Sequence, residues 1–111
     1  MEIEELLQRY RELSDQYAPA KAQRAYLEEY KKSVIALLMK TAERIKNITT
    51  SSGQEREALA SDQYVKLLSD LKDAVLTEEK IRYHMKAVEW EIEVAARDGA
   101  AVTEGDVADR I

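Results

Sequence analysis

Few residues in this chain could do chemistry. His84 is its single histidine, and there is no cysteine. One imidazole cannot assemble a zinc site of nitrogen and sulfur ligands, nor a triad beside a nucleophile. Carboxylates are plentiful, with Glu89 and Glu93 one helical turn apart and Glu78 next to Glu79. Di-metal sites in helical bundles combine inward glutamates with Glu-x-x-His motifs, and this chain has no such motif. Hydrolysis by paired carboxylates needs a cleft to hold them, and nothing in the pattern builds one. Glycines at 53, 99 and 105 are too few and too far apart for a phosphate-cradling loop. The expectation is therefore a non-enzymatic protein, with no catalytic residue, metal ligand or cofactor site.

Binding chemistry has more to work with. The net charge is −5, but it is unevenly placed: residues 1–17 carry −3, residues 18–48 carry +4, residues 49–98 carry −4 and the last 13 carry −2. In the basic stretch, Tyr17, Tyr26 and Tyr30 interleave with Lys21, Arg24, Lys31 and Lys32. Aromatic rings in a basic groove are how single-stranded nucleic acids are held. The candidate contacts for that reading are Lys21, Arg24, Lys32, Lys40, Arg44 and Lys46, in the segment 21–46. Glu28 and Glu29 interrupt the run, and a basic segment can as readily face the chain's own acidic one. Tyr17 and Tyr30 also fall on or beside an apolar seam, where packing would claim them.

The elements that must position these residues are helices. Ala, Leu, Glu, Lys, Arg and Gln dominate, while glycine and proline are scarce. From Ile3 to Ile48, apolar residues recur in alternating steps of three and four, interrupted only by Arg24, Lys31 and Thr41. The phase passes through Pro19, which points to a kinked but continuing helix 1 over about 2–48. Thr49 to Gly53 forms a loop, and Ser52 with Glu55 has the form of a capping box. Helix 2 follows over about 53–98, its seam running from Ala60 to Ala95 with Glu78 as the one charged member. Arg97-Asp98-Gly99 offers a glycine cap, and residues 99–111 read as a loose tail. Two such helices make a long antiparallel hairpin, an all-α domain over residues 1–98. That register sets Glu78 opposite Lys31 or Arg24, as a buried charge pair that fixes the alignment.

A second stripe exceeds what a hairpin needs. Leu76, Tyr83 and Trp90 recur every seven residues on the face of helix 2 opposite its seam. In helix 1, residues 34–39 read VIALLM and wrap more than one full turn. Val34 and Leu38 belong to the seam, whereas Ile35, Leu37 and Met39 point elsewhere. A helix apolar all round belongs inside something larger. The expectation is self-association into a helical bundle, dimeric or higher, through Ile35, Leu37, Met39, Leu76, Tyr83 and Trp90. The alternative is a monomeric three-helix bundle, with a break at Pro19 and residues 2–17 folded back on the hairpin.

The strings YLEEYKKSVIALLMK (26–40), SGQEREALAS (52–61) and LKDAVLTEEKIRYHMKAVEWEIEVAA (71–96) resemble a family of small all-helical proteins encoded by temperate tailed phages and prophages. The likeness covers most of residues 10–98, and its most specific parts are EEYKKS…ALLMK and QERE-A. Members are mostly uncharacterised and lie near recombination and strand-annealing genes. The resemblance implies a bacterial host cytoplasm and a role among phage or host DNA-metabolism proteins, and it transfers no catalytic residue. No apolar stretch approaches the ~20 residues of a membrane span, and the acidic start MEIEELLQRY is unlike a signal peptide. The function expected on these grounds is that of an accessory protein acting by protein–protein contact, with single-stranded nucleic-acid binding as the alternative.

Overall fold

The computed structural model describes the backbone of residues 2–110 and the side chains of residues 2–99. It is an all-α helical hairpin. Helix α1 spans Ile3–Ile45, a short α2 spans Ser51–Leu59 and α3 spans Asp62–Arg110, with no strand among the described residues. Pro19 sits inside α1 without breaking it. That rules out the three-helix alternative, whose fold-back required a break there. Glu4 and Glu5 in the first turn of α1 and Arg44 in the last complement the helix dipole.

Four boundaries differ from expectation. Helix 1 stops at Ile45 rather than near Ile48, because Asn47 takes a left-handed conformation (φ 56°), which asparagine tolerates better than most residues. The chain then turns so that the Ile48 N–H donates to the Ala42 carbonyl at 3.1 Å. Helix 2 is capped not by Ser52 but by Thr50, an extended residue (φ −89°, ψ 142°) whose hydroxyl accepts from the Gly53 N–H at 3.2 Å. The expected single helix over 53–98 is divided at Ala60–Ser61. There the Ser61 N–H closes a turn onto the Ala58 carbonyl, and its hydroxyl accepts from the Tyr64 N–H at 3.1 Å to start α3. Gly99 does not act as a cap, because no glycine has positive φ among the described residues. Helix α3 runs on through Ala100 and Ala101 to Arg110, where a loose tail was expected. The side chains from 100 onward lie outside the described residues.

Two compact units divide the chain. The first joins residues 1–19 to residues 79–111, and the second comprises residues 20–78. In the first unit, Leu6, Leu13 and Val88 are buried, flanked by Tyr10, Ile81, Met85, Ile92 and Ala95. In the second, Leu27, Val34 and Leu67 are buried beside Leu38, Leu71 and Ala74. Fully burying one such Leu or Val side chain stabilises by about 1.5–3 kcal/mol. The seam residues of α3 from Tyr64 to Ala95 are all buried or half-buried. On α1 the seam holds from Leu6 to Leu38 and then shifts by one place. Ala42 is buried while Thr41 faces out, its hydroxyl bonded to the Leu37 carbonyl at 3.0 Å.

Candidate interaction surface

In the second unit the charged seam residues come together as a single assembly. Glu78 is 6% exposed. Arg24 grips it with two nitrogens, Nε donating to Oε2 at 2.7 Å and Nη2 to Oε1 at 3.1 Å. Its remaining Nη1 donates to Glu28, one turn along α1, at 3.0 Å. Planar guanidinium geometry favours this two-pronged grip over a lysine's point charge. Hydrogen bonds to Glu78 first, and to Glu28 second, hold the Arg24 guanidinium well above its usual range. Lys31, the other expected partner, is half-buried one heptad further along α1.

The basic segment is partly spent within the chain. Besides Arg24, Lys32 pairs with Glu29 at 3.1 Å, and Lys46 is bonded to Glu57 of α2. Lys21, Lys40 and Arg44 are exposed and form no ion pair among the described residues. Tyr26 and Tyr30 stack at 5.9 Å with their rings nearly parallel. Tyr30 is 42% exposed rather than packed away as its place beside the seam suggested, while Tyr17 is half-buried. The Tyr30 side chain lies beside Val34 and Leu67, which are buried at that level of the core.

The residues expected at an oligomer contact fall into distinct settings. Leu37 is 61% exposed, but Ile35 and Met39 are half-buried. At about 100° per residue, Leu37 lies about 200° around α1 from both. The run VIALLM therefore does not form one face. Ile35 and Met39 flank the seam on one side, and Leu37 stands with Tyr26 and Tyr30 on the other. Leu76 is half exposed in the same unit, on the outer side of α3. Val65, Leu68 and Val75 are also exposed there. Sequence reading passed over these three, although their spacing from 65 to 76 repeats at helical steps.

In the first unit, Tyr83 and Trp90 are 64% and 59% exposed on α3. Lys86 lies over the Tyr83 ring and Arg97 over the Trp90 ring, each 5.8 Å from the ring centre. Beside Trp90 runs an open groove of about 360 Å³, lined by Leu6, Glu91, Val94, Ala95 and Asp98. On the seam side, the Tyr10 hydroxyl donates to Glu89 at 2.8 Å. That bond, with burial and the carboxylate's charge, raises the Tyr10 pKa above 10.0. Glu93, one turn from Glu89, is engaged by Arg97 at 3.8 Å. His84 is exposed. No group of three or more His, Cys, Asp or Glu gathers as a metal site among the described residues. No helix there is long and apolar enough to cross a membrane. Comparison with protein-family models, curated proteins and solved structures finds no match to this chain.

Proposed function

We propose that this protein works by protein–protein contact, as a self-associating helical accessory rather than as an enzyme. Its setting is phage DNA metabolism in a bacterial host cytoplasm, as the resemblance implies, and its further partners are proteins that handle that DNA. One observation carries the reading. Each unit buries its own seam, yet Leu37, Tyr83 and Trp90 stand more than half exposed outside it. Large aromatic side chains on an outer face are the usual anchors of protein interfaces. Light scattering on the purified chain should give a multiple of 12.7 kDa. Trp90→Ala or Leu37→Glu should lower that mass without loss of helix content. A wild-type chain that stays monomeric at high concentration would refute the proposal.

A second reading is direct binding of single-stranded nucleic acid through residues 21–46. The exposed Tyr26–Tyr30 stack favours it, since such rings can continue into a stack of bases. The engagement of Arg24, Lys32 and Lys46 by carboxylates weighs against it. Binding to labelled single-stranded DNA that falls steeply with salt would support this reading. No binding at low salt would remove it.

A further inference from the structure

Self-association, as proposed above, leaves open which surfaces meet. Charges that form no ion pair among the described residues point to an answer. In the groove beside Trp90, Leu6 and Ala95 lie deep, Trp90 and Val94 form an apolar wall, and Glu91 and Asp98 are the acidic members. Neither carboxylate forms an ion pair among the described residues. Arg97, next to Asp98 in the chain, is turned to Glu93 and lies over the Trp90 ring. An apolar slot with two free carboxylates is suited to an apolar side chain flanked by cations.

The second unit presents such a group. Leu37 is 61% exposed on α1, and Lys40 and Arg44 follow it at three and seven residues, along the same side of the helix. Lys40 and Arg44 also form no ion pair among the described residues. Glu43 lies about a third of a turn off this line. Lys40 and Arg44 stand about 6 Å apart along their helix, and Glu91 and Asp98 about 10 Å apart along theirs. Long flexible stems bridge that difference.

Resting on the self-association reading, we infer that the Trp90–Val94 groove of one copy receives Leu37 of a second copy, with Lys40 and Arg44 set against Glu91 and Asp98. The acidic rim turns away a phosphate backbone, and the matching cationic group is present once in every copy. Because each chain carries both faces, the contact closes reciprocally into a dimer or propagates head to tail.

A charge-swap experiment tests this. One variant carries Lys40→Glu with Arg44→Glu, the other Glu91→Lys with Asp98→Lys, all at exposed helical positions, with circular dichroism to verify folding. Each alone should associate at least about tenfold more weakly than wild type, and the two mixed should recover a complex by sedimentation. If either variant associates as tightly as wild type, or the mixture does not recover, the pairing is wrong while self-association stands. A monomeric wild type would overturn both. Should a swapped variant misfold, two further measurements decide. Lys40→Gln with Arg44→Gln, and wild type at about 1 M salt, where screening acts within about 3 Å, should both weaken the complex. Indifference to both would overturn the pairing.

Discussion

Glu78 is the charged side chain buried in the seam, and its environment decides what its neighbours can be. Removing Arg24 strips a buried carboxylate of its two-pronged partner, which is strongly destabilising even where the intact pair contributes little. Arg24→Ala should therefore lower the melting temperature more than the double change Arg24→Met with Glu78→Leu, measured by thermal circular dichroism. An ordering the other way round would mean that the pair is not the buried unit described. Tyr10 supplies a pH signature. Its folded pKa is raised above 10.0 by the bond to Glu89. The folded state thus holds this proton more tightly than the unfolded chain, and the stability it adds is complete below pH 10 and lost as the pH rises through the folded pKa. Tyr10→Phe should flatten that alkaline loss in unfolding curves taken across the range. Sequence alone placed Glu78 opposite Arg24 or Lys31. It could not choose between them, because the choice rests on guanidinium geometry rather than on spacing.

Helices are where the sequence was most and least legible. A three–four repeat between Tyr64 and Ala95 is sufficient to place every seam residue of α3, because the buried face of an uninterrupted helix recurs at that period. The corner between α1 and α3 is different. It depends on Asn47 adopting positive φ, on Thr50 rather than Ser52 serving as the cap, and on Ser61 restarting the helix. Single residues make those decisions, and no period announces them; the pair Ser61-Asp62 was the one local clue to the second start. A β-carbon added at Gly53 would come 2.7 Å from the Thr50 hydroxyl oxygen and 2.8 Å from an Ile48 methyl. Gly53→Ala should cost about 1 kcal/mol in chemical denaturation despite alanine's better helix propensity, since the cap must shift. Pro19 is the opposite case. It is exposed and denies α1 a backbone hydrogen bond, so Pro19→Ala should raise stability by about 1 kcal/mol or more. Leu6→Ala, at a position 2% exposed, should cost about 3 kcal/mol.

For the whole molecule, the apolar surface left outside both cores is what the proposals turn on. The sequence signalled its presence through the Leu76, Tyr83 and Trp90 spacing. It did not signal that Leu37 parts company with Ile35 and Met39, since a run of six apolar residues conceals which side each one takes. Helical proteins that bury their interfaces by aromatic anchors lose association on truncation of one anchor. Tyr83→Ala should therefore weaken self-association at unchanged helix content, a combination that sedimentation and circular dichroism together would resolve. Trp90 is the chain's one tryptophan and stands 59% exposed in the folded hairpin. Unfolding a single copy would remove only the partial cover that Arg97 and the groove give it, whereas a second copy settling over it would bury the ring. Its emission colour is therefore a built-in, label-free reporter that should respond more to assembly than to the folding of one copy.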